Sequence, residues 1–419
     1  MLIEFKVTNF RSFRDTQTLS MVAGNFPEHT EANTFDAGLS GFGRFLRSSV
    51  VYGPNAAGKT NLLRALQFMQ ALVVSSATAT PATGPPYAPF KFAAATRNAP
   101  SEFQVTFVQN LVRYEYGFSI DATRICEEWL VEYAHPRGRE IFTRTYNEKI
   151  EDYNWKFSSF FRGQRSVWSE ATRPNALFLS IAIQLNSKQL LPVFEWFQKR
   201  LVVIVGVTTL NPVLTLQLLR QLNGKQQLLP FLQEADLGIA DLEVKREPIP
   251  SNAILVQPSP IIEQAPGDLT PSLVKVTFTH LSDTNEPVDL DLAEESSGTQ
   301  VLFRSAGAWL NVFANGEVLL FDEIDTSLHP LLIRYLVTRF HSGETNPNNA
   351  QLIFTTHNTS LLDQEIFRRD QIWFVDKIRD GSSRLYPLTD FKPRNDEVLE
   401  RWYMRGRYGA LPLLDEMPN

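Results

Sequence analysis

The octapeptide Gly53-Pro54-Asn55-Ala56-Ala57-Gly58-Lys59-Thr60 fits the pattern G-x-x-x-x-G-K-[ST] and stands between an apolar run, Ser49-Val50-Val51-Tyr52, and a stretch with Leu62, Leu63, Ala65, Leu66 and Met69 at helical spacing. Strand, glycine-rich turn and helix in that order direct the fold towards the α/β class. Judged from average residue usage, the bare pattern arises by chance in about one to two per cent of chains this long. In this setting the backbone N–H groups of the turn and the positive end of the helix can hold a polyphosphate. The residues so assigned are Gly53, Pro54, Asn55, Ala56, Ala57, Gly58, Lys59, Thr60 and Asn61. Lys59 would reach the β/γ-phosphates and the Thr60 hydroxyl would bind Mg²⁺.

At 419 residues the chain has room for two or three domains, or for one domain with a large insertion, and an apolar fraction of 43% supplies a core. A net charge of −6 gives no global cationic footprint, so any nucleic-acid contact must rest on a local patch or a partner. The single cysteine, Cys126, excludes an internal disulfide framework and a cysteine metal cluster. Residues Met1 to Phe13 alternate apolar and polar and carry Glu4, Lys6 and Arg11, which suits a strand and not a signal peptide. No apolar run reaches the roughly 20 residues that cross a bilayer. The expectation is a soluble, cytoplasmic protein.

Short strands are expected from Ile3 to Phe10 and from Ser49 to Tyr52, a helix to about Val74, and hairpin strands at Phe103 to Val108 and Tyr114 to Ile120. From Leu177 to about Leu237 leucines and phenylalanines recur at helical spacing, which predicts a helical insertion, and the proline-rich run Pro248 to Pro271 reads as a linker back to the main domain. The remainder alternates strand and helix: Leu273 to Thr279, a helix from about Thr299 to Phe313, Val318 to Phe321, a helix from Leu331, Gln351 to Thr355, and Gln371 to Val375. Residues 1–176 and 272–419 then form the two halves of one α/β head, with 177–271 inserted between them.

Val318-Leu319-Leu320-Phe321-Asp322-Glu323 is a buried-type strand ending in two carboxylates, placed where ligands bind in open α/β sheets. Asp322 would hold Mg²⁺, directly or through water, and Glu323 would orient and deprotonate the attacking water. A second apolar strand, Ile353-Phe354-Thr355-Thr356, leads to His357, within reach of a γ-phosphate. Ser296-Ser297-Gly298-Thr299 precedes a helix, with Ser297 as the expected N-cap; Ser297, Gly298 and Thr299 make a second anion site without a phosphate loop of its own. Two anion sites and one loop invite head-to-tail pairing of two copies.

In this order, and with Asp325-Thr326-Ser327-Leu328-His329-Pro330 after the acid pair, the chain resembles the ATP-binding-cassette heads of the SMC, RecF and OLD group. Within that group Leu177-Phe178-Leu179-Ser180 and Arg405-Gly406-Arg407-Tyr408-Gly409-Ala410-Leu411-Pro412 are similar to bacterial phage-defence and abortive-infection ATPases of the RloA, AbiL and AriA kind. The resemblance covers both ends of the chain well and the middle poorly. It implies an α/β P-loop ATPase of ABC/SMC-head type with a β-rich N-terminal lobe and a helical insertion, using ATP and Mg²⁺ as a homodimer or higher homo-oligomer. In the opening strand, Asn9 and Arg11 would approach the nucleotide. Only residues 358–419 follow His357, too few for the Toprim nuclease domain of OLD proteins, so an effector nuclease, Toprim-type and encoded nearby, would be a separate chain. The alternatives are a RecF-like repair ATPase that binds DNA directly and a non-catalytic nucleotide-gated scaffold.

Weaker signals remain. Tyr153, Trp155, Lys156, Phe157, Phe160, Phe161, Arg162, Arg165 and Trp168 interleave aromatic and basic residues as single-strand binders do, or simply pack. Gln109, at the end of a strand, reads as a surface residue, and Arg334 to His341 as a helix.

Overall fold

The computed structural model describes every residue except 40, 42, 79, 81–83, 135–136, 207–209, 236–237, 250–260, 264–271, 395–396 and 413–419. The chain divides into two compact units, one made of Met1–Val205, Asn315–Glu323 and Leu336–Asn419, the other of Gly206–Ala314 and Ile324–Tyr335.

The first unit is built on a six-stranded sheet in the order Leu201–Ile204, Val318–Phe321, Gln351–Thr355, Ser48–Tyr52, Ile372–Lys377, Ser383–Pro387. Its first five strands are parallel and the last is antiparallel. Val318–Phe321, Gln351–Thr355 and Ser48–Tyr52 are buried at every position. Covered on both faces, such strands read as continuous apolar runs instead of alternating ones. This is the α/β fold the phosphate-loop pattern calls for.

A seven-stranded antiparallel sheet supplies the β-rich lobe, in the order Asp152–Phe157, Arg139–Asn147, Ile125–Tyr133, Val112–Ile120, Ser101–Gln109, Leu2–Thr8, Gln17–Ser20. Here one face is packed and the other open, so burial alternates along the strands. The phosphate-loop helix, Lys59–Ser75, turns Leu62, Leu63, Leu66, Met69 and Val73 into the same core as Phe5, Phe103 and Phe118. Each such side chain contributes about 1.5–3 kcal/mol on burial. Phe161 and Trp168 join that core, and Trp155 and Phe157 pack against it, so the aromatic members of the aromatic-basic segment are largely packing residues. Gln109 is buried, not a surface residue.

Two sequence expectations for the middle of the chain are corrected. Residues 177–205 belong to the first unit: the helix Phe178–Gln184 and a π-helical turn, Trp196–Arg200, lead into Leu201–Ile204, an edge strand of the six-stranded sheet. Helical spacing of leucines hid a four-residue apolar strand. What fastens the start of this segment is Glu128, fully buried, which accepts from the Phe178 and Leu179 N–H groups (2.6 and 3.0 Å) and from the Tyr116 hydroxyl (3.0 Å). Arg144, equally buried, lies 3.6 Å from Glu128 and donates to the Ala176 carbonyl at 2.9 Å.

The second unit is not purely helical. Besides Val213–Leu219, Gly224–Glu234 and the long helix Ser297–Asn315, it holds a four-stranded sheet in which Ser272–Leu281 pairs antiparallel with Asp241–Pro248, Ile261–Glu263 and Pro287–Asp291. Of the expected linker, residues 250–260 and 264–271 lie outside the described residues, while Ile261–Glu263 is a strand.

Candidate functional site

The phosphate loop leaves the carboxyl end of Ser48–Tyr52 and closes on the first turn of Lys59–Ser75. Two glycines are required by contact as well as by conformation. At Gly53 (φ 155°) a Cβ would strike the Val375 carbonyl, and at Gly58 (φ 113°) it would strike the hydroxyls of Ser383 and Ser12. Lys59 is buried, and its ammonium donates to the carbonyls of Gly53 (2.8 Å) and Pro54 (3.1 Å), which hold it inside the curl of the loop.

Register brings the remaining chemistry to the same sheet edge. Phe321 pairs with Phe354 and Thr355 with Val51, so the residues that follow these strands sit beside the loop. Thr60 Oγ1 donates to Asp322 Oδ1 at 3.2 Å, and Thr355 Oγ1 donates to the same oxygen at 2.7 Å. The Glu323 N–H in turn donates to Thr355 Oγ1 at 2.7 Å. Glu323 has φ 49°, a left-handed conformation that costs a non-glycine residue about 1–2 kcal/mol. The hydrogen bond to Thr355 holds it there, and its side chain is exposed at the strand end. Strain of this kind gathers at functional sites. His357 is exposed and, with Gly53, Pro54 and Asn55, lines a cavity next to the loop.

Lys59, Thr60, Asp322, Glu323 and His357 therefore share one edge of one unit. Asn9 does not join them. Its amide is buried and committed to backbone, donating to the carbonyls of Thr96 and Ala99 (2.9 and 2.7 Å) and accepting from the Phe90 N–H (3.0 Å). A side chain that ties down the 90–100 segment so completely is a structural clip, not a nucleotide ligand. Arg11 is exposed, its guanidinium 5.6 Å from the Phe10 ring centroid. The residue of that opening segment that reaches the loop is Ser12, whose hydroxyl accepts from Asn61 Nδ2 at 2.9 Å and whose carbonyl accepts from the Ser383 N–H at 2.7 Å. The Ser383 hydroxyl donates to the Ala57 carbonyl, so the loop is clamped from both chain ends. Ser12, Ser383 and the bridging role of Thr355 carry no sequence signal: serine and threonine are common, and their partners are far away along the chain.

Ser297, Gly298 and Thr299 lie in the second unit. There the helix cap is Ser296, not Ser297: the Ser296 side chain accepts from the Thr299 N–H at 3.1 Å, and its carbonyl accepts from the Gln300 N–H at 3.0 Å. Ser297 is exposed and Thr299 buried. A cavity of about 670 Å³ in this unit is lined by Ser296 to Thr299, Ser327 and His329.

Residues 48–363 match the model of the AAA_21 family, described as "AAA domain, putative AbiEii toxin, Type IV TA system". The chain belongs to this family. The AAA_21 match begins at the strand that feeds the phosphate loop and ends six residues past His357 (363 against 357), so it contains the whole loop and both following strand ends. The chain is accordingly a P-loop ATPase of α/β fold. No curated protein matches it in sequence. Among solved structures it is similar to a SmcHead bound to the C-winged helix domain of ScpA (TM-score 0.43, 14% identity, 92% of this chain and 97% of that one). It is also similar to a Smc head domain with an extended coiled coil bound to the C-terminal domain of ScpA derived from Pyrococcus furiosus (TM-score 0.40, 12% identity, 92% and 96%). Among the described residues no helix is long and apolar enough to cross a membrane.

Proposed function

We propose that this AAA_21 protein is an Mg²⁺-dependent ATPase whose ATP-driven self-association controls a separate effector, a nuclease of Toprim type encoded nearby, in anti-phage defence in the cytoplasm. The observation that carries the catalytic half is the chain of bonds Thr60–Asp322–Thr355–Glu323 beside the buried ammonium of Lys59. ATP phosphates would lie on the amides of Gly53 to Thr60, with Lys59 on the β/γ oxygens. Glu323 would take the proton of the attacking water, and His357 would hydrogen-bond the γ-phosphate.

The oxygens fit Mg²⁺. A threonine hydroxyl and a carboxylate meet at the mouth of the loop. Mg²⁺ is held in this way, by one or two protein oxygens with water and substrate phosphates completing the shell. Thr60 and Asp322 would hold the ion, and when bound it neutralises charge on the transferred phosphoryl group.

The regulatory half is supported by the family's description, "putative AbiEii toxin, Type IV TA system", and by the sequence resemblance to phage-defence ATPases. Ser297, Gly298 and Thr299 of one copy would close on nucleotide held by another. The experiment measures phosphate release from ATP by the purified protein. Glu323→Gln should keep ATP binding and lose turnover by roughly 10²- to 10⁴-fold, whereas Lys59→Ala should lose binding. Undiminished hydrolysis by Glu323→Gln would remove the assignment.

A further inference from the structure

Strand Asp152–Phe157 is the outermost strand of the seven-stranded sheet: one side pairs with Arg139–Asn147, and among the described residues no strand pairs with the other side. The phase of that pairing decides which main-chain groups are left over. Just past the strand the Ser158 N–H donates to the Ile141 carbonyl at 2.9 Å, in the same register that sets Phe157 against Phe142. Bonded and non-bonded pairs alternate along an antiparallel ladder. Asp152, Asn154 and Lys156 therefore bond to Arg139–Asn147, and the N–H and carbonyl groups of Tyr153, Trp155 and Phe157 face the open side. The Tyr153 N–H agrees, since it takes the side chain of its own neighbour, Asp152 Oδ1, at 2.7 Å.

An edge of this kind is a template for another strand unless something blocks it. Asp152–Phe157 contains no proline, and its register with Arg139–Asn147 has no bulge. Its exposed side chains are Asp152, Asn154 and Lys156, one acid and one base placed symmetrically about an uncharged residue. A second copy of the same strand, laid antiparallel with Asn154 opposite Asn154, sets Asp152 of each copy against Lys156 of the other. The same register puts Tyr153 opposite Trp155, so the outward N–H and carbonyl groups of these two residues meet and the rings form cross-strand aromatic pairs. Asp152 and Lys156 then occupy non-bonded positions, where side chains across a ladder lie closest. Sliding the second copy by two residues either way leaves each charge opposite an uncharged residue, Asn154 and Ile150 in one case, Ser158 and Asn154 in the other. Sliding by one turns the wrong faces together. Glu151, at φ 51°, ends the extended run on one side.

This edge is remote from the nucleotide site. The opening segment reaches the phosphate loop through Ser12, just past strand Leu2–Thr8, and Asp152–Phe157 lies five strands across the sheet from Leu2–Thr8. At the usual strand spacing that is about 24 Å.

We propose that Asp152–Phe157 is a self-pairing edge, through which two copies of this chain join their seven-stranded sheets into one, with Asp152 of each copy on Lys156 of the other. The pairing needs no nucleotide. The ladder is short, so the dimer is concentration-dependent, with a dissociation constant on the order of 1–100 µM. A chain that also pairs through nucleotide, as proposed above, then has two separate contacts with copies of itself, and ATP builds species larger than a dimer. That last step rests on the proposed ATP-driven association; the edge pairing does not.

The test is analytical ultracentrifugation of full-length Lys59→Ala protein without nucleotide. A monomer–dimer equilibrium should appear, and Asp152→Lys or Lys156→Asp, both at exposed positions, should each weaken it by at least tenfold by setting like charges opposite each other. The double swap, Asp152→Lys with Lys156→Asp, should return it to within about threefold of the parent. Mixing the two single variants should give heterodimers in preference to either homodimer, because every charge then meets its opposite. Asn154→Cys should form a disulfide between copies on mild oxidation, and protein with only its own Cys126 should not. A parent protein that stays monomeric at roughly 300 µM overturns the proposal, as does a dimer indifferent to both single swaps or single variants that do not recover on mixing. With Glu323→Gln and ATP, species larger than a dimer should form and Asp152→Lys should reduce them to dimers. Protein that pairs at the edge but gains no mass with ATP refutes the ATP-driven association and leaves the edge pairing standing.

Discussion

Replacing Thr355 by valine isolates the contact that joins the two acids. Valine keeps the shape and the β-branch, so strand Gln351–Thr355 is undisturbed, but the hydroxyl goes. That hydroxyl is fully buried, donates to Asp322 Oδ1 at 2.7 Å and accepts from the Glu323 N–H at 2.7 Å. A hydrogen bond to a charged group contributes about 1.5–3 kcal/mol, and a buried N–H left without a partner costs about 1–3 kcal/mol. Glu323 would then have no anchor for its left-handed backbone, and relaxation of that residue recovers part of the loss. The expected net destabilisation is about 2–4 kcal/mol. A shift of 1.36 kcal/mol in the barrier is tenfold in rate, so displacing the Glu323 carboxylate and the Asp322 oxygen should lower kcat by about 10- to 100-fold. The assay is steady-state phosphate release at saturating ATP, with urea unfolding of the same preparations. Thr355→Ser, which restores the hydroxyl, should recover most of both losses. If Thr355→Val keeps kcat within twofold and unfolds at the same urea concentration, the bridge does not position the acids.

Other expectations follow from single contacts. His341 is buried with Nε2 2.7 Å from the Ser48 hydroxyl; burial, then the charges of His29 and Arg47, lowers its pKa to about 3. Its depressed value means the unfolded chain takes up the proton first, so stability is unaffected above about pH 6.5 and falls by about 1.4 kcal/mol per pH unit below it, down to about pH 3. Relative to His341→Gln, the parent protein should therefore lose about 2 kcal/mol more between pH 7 and pH 5 in chemical denaturation; equal losses would refute the buried neutral imidazole. Gly53→Ala should abolish ATP binding, since its Cβ has no space beside the Val375 carbonyl, and normal affinity by equilibrium dialysis would show that the loop can shift. Ser297→Arg should stop hydrolysis while leaving ATP binding, and mixing it with Lys59→Ala protein should restore part of the activity if the helix start acts on nucleotide held by a second copy. No recovery in mixtures that demonstrably contain mixed oligomers would count against the shared site.

The sequence alone determined the phosphate loop, the strands that bracket it and the acid pair, because each is written in contiguous residues: three or four consecutive apolar positions, then a chemical change. It also carried the alternation of the N-terminal sheet, since a face open to water records itself as a period of two. It misread 177–205 as inserted, because a four-residue parallel edge strand beside a leucine-rich helix has no period long enough to distinguish it. The resemblance placed Asn9 near the nucleotide, since an asparagine that clips backbone and one that approaches a ligand have the same letter. Only the tertiary structure decided that Thr355 links Asp322 to Glu323, that Ser12 and Ser383 close on the loop from residues 371 positions apart (383 against 12), and that Tyr403 and Pro412 come to the phosphate loop. Hydrogen bonds and cavity walls of this kind depend on strand order and register, which long-range packing sets and no local pattern of side chains encodes.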